Sequence, residues 1–119
     1  MRIGAGEMPR NMSFALTTKQ IMDETKTVTR RLGWWFLKPG DIVWACEKCM
    51  GLKKGEKVKR LKKIRIVSTT PERLGKMTYG ECYKEGFPEL LPSEFIDMFT
   101  KRMGGDYFTI VNRIEFEYV

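Results

Sequence analysis

Glu24-Thr25-Lys26-Thr27-Val28-Thr29-Arg30-Arg31 is the stretch on which the reading of the fold turns. Ahead of it, Ser13 to Leu16 reads as a short strand. Thr17 or Thr18 then caps a short helix through Asp23 and Glu24, with Ile21 and Met22 on its buried side. Beyond it, Thr27 to Leu32 is β-like, because Thr and Val prefer extended backbone. Lys26 and Thr29 thus fall at a helix-to-strand junction. Residues three apart point to opposite faces of a regular strand, so these two side chains act together only where the chain bends.

Working outward, Gly33 and the aromatic set Trp34, Trp35 and Phe36 lead into a Lys38-Pro39-Gly40-Asp41 turn. The turn delivers the chain into Ile42 to Glu47, with Ile42, Trp44 and Cys46 on one face and Val43, Ala45 and Glu47 on the other. This segment is expected to be a central strand. Trp44 and Phe36 are expected inside, leaving one of Trp34 and Trp35 as an exposed aromatic platform, since adjacent residues of an extended chain cannot both face inward. Gly51 and Gly55 break the strand. Lys57 to Thr69 is the next extended stretch, and the apolar parity changes between Leu61 and Ile64, which predicts a bulge.

From Thr70 the pattern reads as helical, with Pro71 in a first turn, Thr78 capping a helix to about Glu85, and Ser93 capping a longer one that carries Phe95, Met98 and Phe99. Gly104-Gly105 ends that helix. Phe108, Ile110, Ile114, Phe116 and Tyr118 then alternate with Thr109, Val111, Arg113, Glu115 and Glu117, the clearest strand in the chain. Four or five strands with short inserted helices give an α+β class. Residues 1–11 read as a lead-in and 12–119 as one domain.

A chain of 119 residues with 42% apolar side chains buries one core and hardly more than one domain. No apolar run approaches the roughly 20 residues of a membrane span. The first residues lack the apolar core of a secretion signal, so the expected compartment is the cytoplasm. Histidine is absent, which excludes Ser-His-Asp and Cys-His catalysis and every imidazole metal site. Cys46 and Cys49 have C-x-x-C spacing, but Cys82 alone remains to join them. No metal and no cofactor are expected, and the thiols read as small packing groups.

All of the net charge of +7 sits in one place: Lys53, Lys54, Lys57, Lys59, Arg60, Lys62, Lys63 and Arg65 stand against Glu56 alone, and the rest of the chain is balanced. One reading is a solvated hairpin whose lysines guard a sheet edge. The other is a ridge that meets phosphates, releasing counterions from a polyanion. The second points to a nucleic-acid or nucleotide partner.

The opening stretch also resembles the GxKxxTxR signature of ASCH domains, small β-barrels related to the PUA fold, with Glu24 in the place of the glycine. Further marks of the family follow in order: Lys38-Pro39-Gly40-Asp41, Ile42-Val43-Trp44 with Glu47 after it, Glu85-Gly86-Phe87 before a helix with Glu94-Phe95, and a C-terminal strand rich in Ile and Phe. The likeness spans about Ser13 to Val119. It implies a small mixed β-barrel with short peripheral helices, and beside the barrel a cleft for RNA, another nucleic acid or a modified nucleoside. Some members of the family are amidohydrolases that deacetylate acetylcytidine with a Lys, a Thr and a Glu; others are described as ribonucleases. Carried over by position, the catalytic set is Lys26, Thr29 and Glu85, with Glu81 as the alternative acid, and Arg31 holds a phosphate or a carbonyl oxygen. Trp34 or Trp35 would stack on a base. In the plainer alternative Lys26 and Arg31 are an exposed basic face and Glu85 is a last-turn helix acid.

Overall fold

The computed structural model describes residues 9–119. Five strands, β1 (Arg10–Ser13), β2 (Val28–Arg31), β3 (Ile42–Cys46), β4 (Arg60–Arg73) and β5 (Ile110–Tyr118), form one mixed sheet in the order β1-β3-β4-β5-β2. β1 runs parallel to β3 and every other pairing is antiparallel. The helices are short: α1 (Thr18–Met22), α2 (Tyr79–Lys84) and α3 (Pro92–Met103), with 3-10 turns at Ala15–Thr17 and Leu74–Lys76. The class is α+β, as expected. No helix among the described residues is long and apolar enough to cross a membrane.

The sheet curls because β4 is long and twice irregular. Its register slips at Leu61, where Ala45 faces Lys62 but Cys46 faces Arg60, and again at Val67, where Ile66 faces Phe116 but Ser68 faces Glu115. Each extra residue sharpens the twist and bends the strand. The first slip lies where the parity change predicts it. At one end the two edge strands meet, and Arg31 of β2 donates from Nη2 to the Ser13 carbonyl of β1 at 2.6 Å. A guanidinium thus fastens the half-barrel at the point where backbone pairing stops.

Two apolar cores flank this sheet. Inside the curl lie Met12, Val43, Ala45, Ile64, Ile66, Ile114 and Phe116, plugged by Phe14, Ile21 and Leu37. Outside it, Leu74, Val111 and Met77 pack against Cys82, Phe95, Ile96 and Phe99 of the helices.

Several boundaries differ from the sequence reading. Arg10 and Asn11, assigned to the lead-in, belong to β1, and residues 1–8 lie outside the described part. The strand expected over Ser13 to Leu16 ends at Ser13, because backbone pairing to β3 recruits polar residues that alternation does not reveal. Thr70 to Arg73 remain in β4 rather than starting a helix. Pro71 is tolerated there because β3 stops pairing at Arg65, leaving that side of the strand without a neighbour needing its missing N–H. α3 starts at Pro92, its first turn closed by Glu94 accepting from the Leu91 N–H at 2.8 Å, so Ser93 is not the cap. Trp44 and Phe36 are not core residues. The narrow interior of the curl takes Val43 and Ala45, which turns Trp44 to the outer face, and Leu37 enters the core instead of Phe36. Thr78, in contrast, caps α2 as expected, accepting from the Glu81 N–H.

Ile114 sits in the middle of the inner core, fully buried opposite Thr29. Ile114→Ala is expected to lower unfolding free energy by about 2–5 kcal/mol. Urea denaturation followed by tryptophan fluorescence measures it, and a loss under about 1 kcal/mol would contradict this core assignment.

Candidate functional site

Lys26 enters the site from a tightly held backbone. Its N–H donates to the Gln20 carbonyl at 3.2 Å, and its own carbonyl accepts from the Tyr118 hydroxyl. The short α1 helix ends just before it through Glu24, whose φ of +62° is left-handed. That conformation favours glycine and costs other residues roughly 1–2 kcal/mol. It is the position where the resembled signature has its glycine.

Glu85 arrives from the other side of the sheet's end. α2 closes with Gly86 at φ +94°, the Gly86 N–H bonding to the Tyr83 carbonyl and the Phe87 N–H to the Cys82 carbonyl. This is a left-handed helix stop that a Cβ would obstruct, since Gln20 Cγ lies 2.8 Å from where it would stand. The Gln20 amide nitrogen donates to the Gly86 carbonyl and the Thr27 N–H to the Lys84 carbonyl, so the helix end is stitched to the chain on both sides of Lys26.

The outcome is a buried ion pair. Lys26 Nζ lies 2.7 Å from Glu85 Oε1 and 2.7 Å from the Glu85 carbonyl, and the two residues are 3% and 2% exposed. The expectation of an exposed basic face is therefore wrong for Lys26. Burial pushes the Lys26 ammonium below its usual range, the Glu85 carboxylate opposes that shift, and Arg31 and Arg30 reinforce it. One ammonium proton has no acceptor in the protein among the described residues.

Lys26, Thr29, Arg31 and Glu85 all line one cavity of about 160 Å³. Arg31 is half-buried. It donates from Nε to Thr29 Oγ1 at 3.2 Å, lies 4.7 Å above the Phe14 ring, and has no carboxylate within ion-pair distance among the described residues. Burial lowers it to about 10 against the pull of Glu85. The cavity walls are apolar, built from Phe14, Phe87, Met98 and the i, i+4 pair Phe95 and Phe99 on α3.

Sequence reasoning missed two elements. Trp34 and Trp35 do not line the cavity: Trp34 packs on the inner core, while Trp35 lies exposed elsewhere. The phenylalanines of α3 take the wall instead, and helical spacing alone does not distinguish a cavity wall from core. The second omission is Arg30, discussed below. Glu81, the alternative acid, does not line the cavity and is held by Arg30 at 2.6 Å and by Arg113.

The basic ridge is divided. Lys59 pairs with Glu47 at 3.8 Å, Lys62 with Glu24 at 3.0 Å and Arg65 with Glu117 at 2.8 Å. Lys53, Lys54, Lys57, Arg60 and Lys63 have no carboxylate partner among the described residues. Arg60 and Lys63 instead lie 5.2 and 5.1 Å from the centroid of Trp44 on the outer face of β3 and β4. None of the eight ridge cations lines the Lys26 cavity. Cys46 is buried and Cys49 half-buried, both as free thiols; no group of three or more metal-ligating side chains is assembled among the described residues.

No family model and no curated protein matches this chain. Among solved structures, the crystal structure of protein EF3133 from Enterococcus faecalis V583, of family DUF984, is similar with a TM-score of 0.63 at 14% sequence identity. The match covers 95% of this chain and 77% of that one. At that identity the likeness speaks for the fold alone.

The acids around the site also set a pH limit on the fold. Hydrogen bonds from Arg113, and then from Arg30, hold the Glu81 carboxyl down at about 2, against burial, which raises it. A carboxyl lowered in the folded state stabilises the fold above its unfolded value, and that contribution disappears as the folded group becomes protonated. Stability is therefore expected to fall as pH drops from about 4.5 towards about 2. In Glu81→Gln the slope of unfolding free energy over this window is expected to flatten; an unaltered slope in a folded variant would show that Glu81 is not the group responsible.

Proposed function

We propose that the chain is a PUA-like domain of the ASCH type whose cleft receives a single nucleobase, presented by a modified nucleoside or by RNA. The observation that carries this reading is the Lys26–Glu85 pair on the floor of a cavity walled by phenylalanines. Size supports it. An apolar cavity of about 150 Å³ holds benzene, so about 160 Å³ suits one six-membered ring, with the sugar and any phosphate left at the open mouth. Polarity supports it too: aromatic walls accept the faces of a ring, while the free proton of Lys26 and the guanidinium of Arg31 offer donors to a carbonyl oxygen at its edge.

The same floor contains what amide hydrolysis requires, which favours deacylation of an acetylcytidine-type nucleoside as the activity. Thr29, whose oxygen already accepts from Arg31, has its own proton to give, and a water held by that hydroxyl is the attacking group. Its oxygen adds to the acyl carbon and its proton passes to the Lys26–Glu85 pair. Arg31, with no carboxylate of its own, faces the negative charge that forms on the carbonyl oxygen. The C–N bond then breaks, the nitrogen takes the proton back, and one water is consumed to give the free amine and acetic acid, which releases its proton to solvent as acetate.

Incubating the protein with N4-acetylcytidine, with cytidine and with an RNA oligomer separates these readings. Acetate and cytidine are expected from the first, with at least about a hundredfold loss in Lys26→Ala and Glu85→Gln. Binding without turnover would retain the base site and remove the hydrolase; neither binding nor turnover would remove both. Shortened RNA would indicate a ribonuclease instead.

A second surface has its own supporting observation, Trp44 between the unpaired cations Arg60 and Lys63 on an open sheet face. Exposed cations beside an aromatic ring suit the backbone and bases of a single-stranded nucleic acid. Oligonucleotide binding is expected to quench tryptophan fluorescence, to weaken steeply with salt, and to fall in Trp44→Leu and in Arg60→Gln/Lys63→Gln while surviving Lys26→Ala. Affinity unchanged in both surface variants would leave the ridge as a solvated edge.

A further inference from the structure

Arg30, which also lines the cavity, makes three charge-assisted hydrogen bonds. Its side chain is 1% exposed, and it sits on β2 between the two signature residues Thr29 and Arg31. Nη1 donates to Glu85 Oε2 at 3.0 Å, while Nη2 donates to Glu81 Oε1 at 2.6 Å and to Glu72 Oε2 at 3.0 Å. Glu85 is therefore divided: one carboxylate oxygen belongs to Lys26 and the other to Arg30. A carboxylate bonded on only one oxygen turns about its terminal torsion, which is broad. Bonding both oxygens to cations from the same chain segment fixes the plane of the group and hence the direction in which Lys26 is drawn.

The arginine is itself immobilised. Glu72 comes from β4 and Glu81 from α2, and Glu81 is gripped again by Arg113 of β5, which also reaches Glu115 at 3.4 Å. Three carboxylates converging on one planar guanidinium use its fork in a way that an ammonium cannot reproduce. The charged groups around Lys26 are thus Glu85 in direct contact, Arg30 and Arg31 on β2, Arg102 of α3 lining the same cavity, Glu81 beyond Arg30 on α2, Glu72 on β4 and Arg113 on β5, with the thiol of Cys82 near Arg30 and Glu85.

We propose that Arg30 is the positioning residue of the cleft: by holding Glu85 through its far oxygen, it sets the orientation of the carboxylate that aims Lys26 at the ligand. This rests on the cleft reading above for its functional meaning, but the positioning has a readout of its own. Removing a neighbouring cation and releasing Glu85 to bond Lys26 alone both favour the ammonium form of Lys26.

The experiment uses the full chain, with the Lys26 side-chain resonance followed against pH by NMR and assigned by its loss in Lys26→Ala. In Arg30→Gln the Lys26 titration midpoint is expected to rise by about one pH unit or more. Arg30→Lys retains a charge in the buried site and serves where Arg30→Gln does not fold. There the midpoint is expected to move the same way by less, because a compact ammonium cannot reproduce the spread of the guanidinium fork across three carboxylates. Acetylcytidine binding or turnover is expected to fall about tenfold or more in both. A folded variant with a lower melting temperature but an unmoved Lys26 midpoint would overturn the proposal and make Arg30 a structural residue only. Wild-type protein that neither binds nor turns over the nucleoside would defeat the cleft reading, and the titration would still decide the role of Arg30.

Discussion

The carboxylate of Glu85, held between Lys26 and Arg30, is the constraint on which the rest of this molecule depends. It joins the end of α2 to the start of β2, and with them the helical core to the core inside the curled sheet. As a source of stability such a pair is unpromising, because each ion gives up several kcal/mol of hydration on burial. The cost is offset only if every lone pair and proton finds a partner. Here both oxygens of Glu85 are engaged, its carbonyl accepts a further bond from Lys26, and Arg30 is surrounded by three acids. The one proton left over on Lys26 belongs to the residue that lines the cavity, so the incomplete valence lies where a ligand can complete it.

Glycine-like backbone geometry makes that arrangement reachable. Lys26 follows a left-handed residue at Glu24 and Glu85 precedes one at Gly86, so each side chain stands beside a sharp reversal of the chain. Regular strand or helix would carry them past one another. Glu24 adopts the left-handed backbone that glycine favours, and its carboxylate meets Lys62 at 3.0 Å. It thereby shapes the approach to Lys26 while attaching the α1 turn to β4. Arg31 has a comparable double duty. It fastens β2 to β1 through the Ser13 carbonyl and steadies the Thr29 hydroxyl, so closure of the half-barrel and construction of the cleft floor are one event.

What the sequence makes legible follows from the range of the interactions involved. The alternation of Ile114, Phe116 and Tyr118 along β5, the Thr78 cap and the parity change after Leu61 are local signals that correspond to structure, whereas Phe108 and Ile110 are exposed and Val111 takes the buried place against the helices. The meeting of Lys26 with Glu85 was expected only through the resemblance to ASCH domains, since nothing local links residues 59 apart. Arg30 and Trp44 were not legible. On a strand that alternates between two faces, an arginine beside Thr29 reads as outward and exposed; it becomes interior only because Glu72, Glu81 and Glu85 arrive from three other parts of the chain. Trp44 is the reverse case. Its size argues for burial, but the bend of β4 gives the interior to Val43 and Ala45, and Arg60 and Lys63 cover the displaced ring. Pro71 shows the same limit: a proline forbids a central strand only where both neighbours are present, and the loss of β3 as a partner is a tertiary fact.

Buried and exposed cations of this protein act over different ranges, which separates what the two surfaces can contribute. The cations beside Trp44 stand in water and salt, where interactions are screened beyond about 8 Å and a single exposed pair contributes at most about 1 kcal/mol. On the proposed reading their effect is collective, raising the local concentration of a polyanion without distinguishing one base from another. Lys26 lies under protein and Arg31 half under it, where the same unit charges interact more strongly and a misplaced oxygen leaves a desolvated donor unsatisfied. On that reading discrimination belongs to the cavity. A ligand that places an acceptor between Lys26 and Arg31 gains what the protein leaves unmade, whereas one that brings only an apolar face there pays for two stranded donors. That asymmetry is a consequence of burial, and the Arg30 network is what holds the floor in place for it to act.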